Sequence, residues 1–321
     1  MNKPYVYVTR RVPEETLADL RQRAEIGMWP EEEKPVPREV LLREAERADG
    51  LVTMLTEKVD RELLERAGRL KVVANVAVGH DNVDIEAAAK CGVTVTNTPD
   101  VLTDTTADLT FAVLMAAARR IVEAAEYVKE DKWTVWSPMQ MAGLDVHHKT
   151  LGIVGMGRIG ETVAKRGKGF DMEIMYHNRN RKPEVEQKLG AVYSDFNELL
   201  AKADFVVSLT PMTRETRNMF NAEAFRKMKK SAVFVNVARG GVVDEKALEA
   251  ALRNGEIAAA GLDVFQNEPI SSDHPLLHLE NVVALPHIGS ASLETRTAMI
   301  ELACRNAALV LRGQSAETPV N

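Results

Sequence analysis

The chain has only two cysteines in 321 residues, Cys91 and Cys304. Two so far apart have no metal-ligand spacing and form no disulfide framework. Each falls in an apolar helical pattern, which predicts two buried thiols. Positive charge is not in excess either. The net charge is −6 and the isoelectric point about 5.8, which argues against a nucleic-acid partner. No apolar run approaches the roughly 18 residues of a membrane span. The opening "MNKPYVYVTRRVPEE" has no signal-peptide core. The expectation is a cytoplasmic protein with no membrane partner. Short repeats and low-complexity blocks are missing too. What remains is an ordinary globular composition, 45% hydrophobic and 27% charged, long enough for about two domains.

Short apolar runs alternate with helical patterns from the start. "YVYVT" (5–9), "GLVTML" (50–55), "LKVVANVAVG" (70–79) and "VTVTNT" (93–98) read as strands. "EETLADLRQRA" (14–24) reads as a helix, and so does "VDIEAAAKCG" (83–92), with Asp84 as N-cap and Gly92 as the terminal glycine. Strand–helix alternation predicts a parallel sheet covered on both faces. One long alanine-rich helix is predicted over 105–128, apolar nearly all round and hence buried, partly against a second subunit. An irregular stretch, 133–150, follows. A second alternation then supplies six strands with helices between them, enough for a doubly wound dinucleotide domain. The last helix, 292–313, has no strand after it and is expected to pack back on the first unit. The predicted division is therefore 1–100 plus 290–321 as one domain and 101–289 as the other, with the site in a cleft between them.

One further absence is local. Gly155-Met156-Gly157-Arg158-Ile159-Gly160 follows a predicted strand and opens a helix, the context in which a G-x-G-x-x-G run binds a dinucleotide. Gly155 permits the tight turn, Gly157 lets backbone approach a pyrophosphate, and Gly160 lets helix and strand pack closely. The helix N-terminus offers N–H donors and a positive dipole end. About 20 residues later such sites normally carry an acid that grips the adenosine ribose. Here the stretch is "IMYHNRNR" (174–181), with no acid. Arg179 and Arg181 offer donor forks suited to a phosphate, and Asn178 donates without repelling one. The replacement points to NADP(H), with NAD(H) weaker.

Three later stretches, "VNVARGGVVD" (235–244), "GLDVFQNEP" (261–269) and "LPHIGSAS" (285–292), each lie at or just past a strand's C-terminal end, the edge that faces the ligand crevice. They bring one Arg, one Glu and one His to the same rim. Arg239 is suited to clamp a carboxylate with two hydrogen bonds. His287 is suited to give a proton to a carbonyl oxygen as hydride reaches its carbon. Glu268 is suited to orient the imidazole and favour its protonated form.

Together with "VAVGHDNVD", "TPDVLTDTTAD" and "VGMGRIG", these stretches make the chain resemble, over nearly its whole length, the D-isomer-specific 2-hydroxyacid dehydrogenase family, and within it the glyoxylate/hydroxypyruvate reductases. The resemblance implies two doubly wound α/β domains, a flavodoxin-like substrate domain and a Rossmann cofactor domain. It implies that Arg239, Glu268 and His287 are catalytic and that the N–H groups of Val78 and Gly79 hold the substrate carboxylate, with Arg239 and His287 also on the substrate. It puts Thr106, Ser208, Pro211, Val237, Asp263 and Gly289 on the cofactor, beside Arg158, Ile159 and the motif glycines. Adjacent residues point in different directions on most backbones, so His147 and His148 are read as exposed loop residues and not a metal pair, and no metal is expected. A homodimer is expected through the long apolar helix and the irregular segment after it. The activity implied is NADPH-dependent reduction of short 2-keto acids, glyoxylate to glycolate and hydroxypyruvate to D-glycerate. The alternatives are another reductase of the family, such as a 2-ketogluconate reductase, and a nicotinamide-sensing corepressor on the same fold. A phosphoglycerate dehydrogenase is disfavoured by the missing acid.

Overall fold

The computed structural model describes residues 3–321. They divide into two compact units, one running to Leu102 and resuming at Ala291–Asn321, the other Thr103–Ser290.

In the first unit, strands β1 (Tyr5–Val8), β2 (Glu25–Met28), β3 (Gly50–Thr53), β4 (Val72–Asn75) and β5 (Thr94–Thr96) alternate with helices α1 (Ala18–Arg23), α2 (Arg38–Arg47), α3 (Arg61–Arg66) and α4 (Ile85–Lys90). All five strands pair in parallel in the order β2-β1-β3-β4-β5. That is the flavodoxin-like order, which reverses between β1 and β3. β3 and β4 are buried along their whole length, which is why they read as unbroken apolar runs rather than alternating ones. Asp60 and Asp84 cap α3 and α4 by accepting from Leu63 and Ala87 N–H, a contribution of about 1 kcal/mol each. Gly92 takes up φ 69° beyond α4. The predicted helix over 14–24 is two pieces, a single 3₁₀ turn over Glu14–Leu17 and then α1. Strand β2 and helices α2 and α3 were not expected. β2 is a half-exposed edge strand, "EIGM", with little apolar signal.

The second unit runs α5 (Thr103–Ala118), α6 (Ile121–Lys129), β6 (Thr150–Val154), α7 (Arg158–Lys168), β7 (Glu173–His177), α8 (Pro183–Leu189), β8 (Val192–Tyr193), α9 (Phe196–Lys202), β9 (Phe205–Ser208), α10 (Ala222–Lys227), β10 (Val233–Asn236), α11 (Glu245–Arg253), β11 (Ala259–Leu262) and β12 (Val282–Ala284). Its parallel sheet is ordered β12-β11-β10-β9-β6-β7-β8. This is the Rossmann order with one strand added beyond β11, and its switch point lies between β6 and β9. The sheet has seven strands rather than six. The extra one, β8, is two exposed residues at the edge, too short for a sequence pattern.

The long helix expected over 105–128 is a correction. It breaks at Arg120, which adopts φ 53°. α5 buries Thr106, Phe111, Leu114 and Ala118 against the unit, whereas α6 buries nothing. The final helix, α12 (Leu293–Leu311), packs on β3, β4 and α1 of the first unit. Its Cys304 is buried, and burial pushes the thiol up to about 12. Cys91 is exposed, against expectation. It sits at the C-cap of α4, just past the buried Ala87 and Ala88. Among the described residues no helix is long and apolar enough to cross a membrane.

Candidate active site

β6 delivers the chain to Gly155 at φ 106°. Only glycine is at ease there, and a Cβ would stand 2.7 Å from the Leu209 carbonyl carbon and oxygen. Gly155 N–H donates to the His177 carbonyl at 2.9 Å, tying the turn to the end of β7. At Gly160 a Cβ would meet Gly155 O at 2.3 Å, so α7 is seated against the turn. Gly157 is the N-cap of α7 with no side-chain cap, and open space surrounds its would-be Cβ. Arg158 and Ile159 form the helix's first turn. An open cradle at the N-terminus of an 11-residue helix is where a pyrophosphate is bound.

Two buried polar atoms on the same strand edge lack a hydrogen-bond partner among the described residues: Ser208 Oγ, at the end of β9, and Asp263 Oδ2, just past β11. Such atoms are costly unless something satisfies them. Asp263 Oδ1 accepts from Ile288 N–H at 2.7 Å. A Cβ on Gly289 would lie 3.2 Å from Oδ2 and 3.5 Å from Thr106 Cγ2, so Thr106, Asp263 and Gly289 converge. Burial raises the Asp263 pKa, against the Ile288 N–H and the His287 charge that pull it down. Val237 is buried just past β10. Pro211 follows β9, its carbonyl accepting from Thr216 Oγ1 at 2.7 Å. An open glycine cradle and two unsatisfied polar atoms fit a dinucleotide lying along this edge.

The turn after β7 contains Asn178, whose side chain donates to the Asn180 carbonyl at 2.9 Å. Arg179 is exposed and makes neither a hydrogen bond nor a close ion pair among the described residues. Arg181 is placed differently. Its Nε and Nη2 grip both oxygens of Glu186 on α8, at 2.7 and 2.8 Å. Glu186 also accepts from the buried Tyr176 hydroxyl at 2.7 Å. Arg181 and then Tyr176 draw its carboxyl down to about 2. Arg179 has no close contact in this turn, though its charge helps to lower the Glu215 carboxyl, whereas Arg181 is tied back to α8.

Arg239, Glu268 and His287 come together. His287 Nδ1 stands 2.7 Å from Glu268 Oε2, and both side chains are about one-third exposed. Glu268 Oε1 accepts from Phe265 N–H at 2.8 Å, fixing the carboxylate plane. Burial pushes the Glu268 pKa up. The hydrogen bond and charge of His287, the Phe265 N–H and the nearby Arg239 outweigh it, and the net shift is downward. Glu268 is thus an anion facing Nδ1, which leaves Nε2 for other business. His287 adopts φ 55°, a left-handed conformation uncommon outside glycine, Asn, Asp and His. Arg239 Nη1 donates to the Ala238 carbonyl at 2.8 Å, and the Arg239 carbonyl accepts from Asn236 Nδ2 at 2.9 Å. At the next residue, Gly240, a Cβ would fall 1.8 Å from Phe265 C. The Arg239 loop is pressed onto the loop that carries Glu268, which only glycine allows.

In the first unit the turn after β4 carries Val78 and Gly79. Val78 is exposed and Gly79 half-buried. Two side chains not singled out from the sequence donate into this turn: Asn75 Nδ2 to the Gly79 carbonyl at 3.0 Å and Asn97 Nδ2 to the Val78 carbonyl at 2.8 Å. The available signal was an Asn at the end of each strand, in "VVAN" and "TVTN". Asn236 at the end of "VFVN" does the same for Arg239. His147 and His148 are exposed, and no group of His, Cys, Asp or Glu among the described residues is arranged for a metal.

A family profile described as "D-isomer specific 2-hydroxyacid dehydrogenase, NAD binding domain" matches residues 111–289. A glyoxylate reductase of Pyrococcus horikoshii is 49% identical, over 99% of this chain and 96% of its own length. The chain belongs to the D-isomer-specific 2-hydroxyacid dehydrogenase family. It is an NAD(P)-dependent oxidoreductase, and its relatives support reduction of 2-keto acids. The crystal structure of a glyoxylate reductase from Paecilomyes thermophila covers 100% of this chain and 99% of its own, at 31% identity and a TM-score of 0.89. That of an NADPH-dependent glyoxylate/hydroxypyruvate reductase from Sinorhizobium meliloti, in complex with NADP and malonate, covers 99% and 97%, at 33% identity and a TM-score of 0.87.

Proposed function

We propose that this dehydrogenase reduces glyoxylate to glycolate and hydroxypyruvate to D-glycerate, with NADPH preferred to NADH and His287 as general acid. The observation that carries the reading is the His287–Glu268 pair at 2.7 Å, on the loop edge where Arg239 and the glycine cradle also lie. When bound, the reduced nicotinamide supplies a hydride to the substrate's carbonyl carbon. Ser208 and Asp263 hold the cofactor along the strand edge, and Thr106, Pro211, Val237 and Gly289 wall it. Arg239 pairs with the substrate carboxylate and so fixes which carbonyl face is presented. The Val78 and Gly79 N–H groups of the first unit are donors suited to a carboxylate. His287 gives the Nε2 proton to the carbonyl oxygen as its π pair becomes a lone pair. The imidazole is left neutral, with Nδ1–H still on Glu268. Glu268 keeps the imidazole oriented through its contact with Nδ1.

NADPH preference rests on the turn after β7. It lacks the acid that would accept from a ribose 2′-hydroxyl and repel a phosphate. Arg179 is exposed there without a close partner, and Asn178 lies beside it. Arg181 acts mainly by holding the turn to α8. The test of substrate class is a steady-state panel with NADPH. Glyoxylate and hydroxypyruvate are expected to give the highest kcat/KM. A clear preference for 2-ketogluconate, or no turnover of any 2-keto acid, would overturn the reading.

The same unit suggests how it assembles. α6 and the stretch after it expose Ile121, Val122, Val128, Trp133, Trp136 and Met139, with Trp136 74% and Met139 78% exposed. So many exposed large apolar side chains within one segment are unusual on a monomer. Beside it opens a pocket of about 450 Å³ lined by Ala117, Val122, Leu144 and Val282 among others. We expect a homodimer through this face. Sedimentation at micromolar concentration should give the dimer mass, and a monomer mass would refute it.

A further inference from the structure

The turn after β4 has every carbonyl from Ala77 to Gly79 occupied. Ala77 O accepts from Thr98 N–H at 2.8 Å, Val78 O from Asn97 Nδ2 at 2.8 Å, and Gly79 O from Asn75 Nδ2 at 3.0 Å. In a trans peptide the carbonyl and the following N–H point in opposite directions. Anchoring these three carbonyls therefore aims three consecutive N–H groups, those of Val78, Gly79 and His80. Among the described residues none of the three donates to an acceptor. Successive aimed and unpaired N–H groups form a concavity that binds an anion.

The anchors are themselves held. Asn75 is fully buried at the end of β4, and its Oδ1 accepts from Thr53 Oγ1 at 3.1 Å and Asn82 Nδ2 at 3.2 Å. Asn97 lies just past β5. Its N–H donates to Thr318 O at 3.3 Å, and its carbonyl accepts from Thr318 Oγ1 at 2.6 Å. Thr318 in turn receives Asn306 Nδ2 of α12 at 2.8 Å. The segment around Thr318 runs along β5, with Val320 N–H on Val95 O at 2.8 Å.

We infer that Asn97 and Asn75 are positioning residues for the substrate's carboxylate: by holding the Val78 and Gly79 carbonyls they aim the Gly79 and His80 N–H groups at it. The inference rests on the proposed reduction of a 2-keto acid whose carboxylate sits in this turn. Asn97 is the better probe because it is only half-buried. Its amide is committed to the Val78 carbonyl, and in this assignment it acts through the peptide it holds.

The test uses the full-length enzyme and two variants, Asn97→Ala and Asn97→Asp. In Asn97→Ala the Gly79 N–H loses its aim, and KM for glyoxylate is expected to rise about tenfold, the scale of one charge-assisted hydrogen bond weakened. Asn97→Asp loses the donor and adds an anion beside the anion site, so KM rises further although the side chain keeps its shape. In both, kcat stays within about threefold and KM for NADPH is unchanged, because the interaction lost is one made to bound substrate. The inhibition constant of oxalate, which offers a carboxylate but no reducible aldehyde, rises in step with KM, and the melting temperature holds. A merely structural role predicts a lower melting temperature or kcat with KM and oxalate inhibition unmoved, and that pattern overturns the inference. Wild-type enzyme that fails to reduce glyoxylate overturns the proposed function itself. Wild-type turnover with unaltered variant KM values overturns only the role of Asn97.

Discussion

His287→Ala is expected to bind NADPH as the wild type does and to lose roughly 10²–10⁴-fold in kcat for glyoxylate, the usual worth of a positioned general acid. The imidazole is held by one short contact to Glu268, on a backbone already committed to φ 55°. Truncation removes the proton donor while leaving the glycine cradle, Ser208 and Asp263 in place. Glu268→Gln separates the pair's roles. The amide still accepts from Phe265 N–H, but it no longer presents an anion to Nδ1. The imidazole then loses the anion that orients it through Nδ1, so kcat for glyoxylate should fall while NADPH binding holds. The Glu268 pKa is lowered, so the carboxylate persists down through the ordinary carboxylate range, and its protonation should not limit activity between there and neutrality. Near-normal kcat in His287→Ala would refute the assignment.

Arg239→Lys should behave as a severe change. A guanidinium meets a carboxylate with two parallel N–H groups in a fixed plane, and an ammonium cannot. Losing one such bond to a charged group is worth about 1.5–3 kcal/mol, or roughly ten- to a hundred-and-fiftyfold in kcat/KM for glyoxylate. Lys keeps the positive charge that helps hold the Glu268 pKa down, so the pH profile should move little while the loss falls on substrate binding and alignment. A change confined to NADPH affinity would mean that Arg239 belongs to the cofactor.

The parts of the fold and site that could be read from sequence are those where residue type and backbone demand coincide. Gly155 and Gly160 are needed by a left-handed turn and a close approach, and both requirements show in the letters. The strand-end Arg239, Glu268 and His287 were readable because buried parallel strands announce their own C-terminal ends. The break at Arg120 was not, since the sequence there has no proline or glycine and the αL residue is an arginine. Cys91 misled because the apolar pattern runs one residue past the true helix end. Arg181 looked equivalent to Arg179. Its pairing with Glu186 crosses a turn into α8, a helix not anticipated, and only the fold brings Tyr176 to the same carboxylate. Asn75 and Asn97 were silent for a similar reason. What their amides hold is a turn whose position is set by neighbouring strands.

The most direct test of the account is kcat/KM for glyoxylate reduction measured side by side with NADPH and NADH, in wild type and in Arg179→Ala. One or two hydrogen bonds to a charged 2′-phosphate imply a wild-type preference for NADPH of roughly ten- to several-hundredfold. The preference should shrink as salt screens the exposed turn. Arg179→Ala should weaken NADPH and leave NADH nearly unchanged. A wild-type enzyme that favours NADH, or equal losses with both cofactors in the variant, would contradict it.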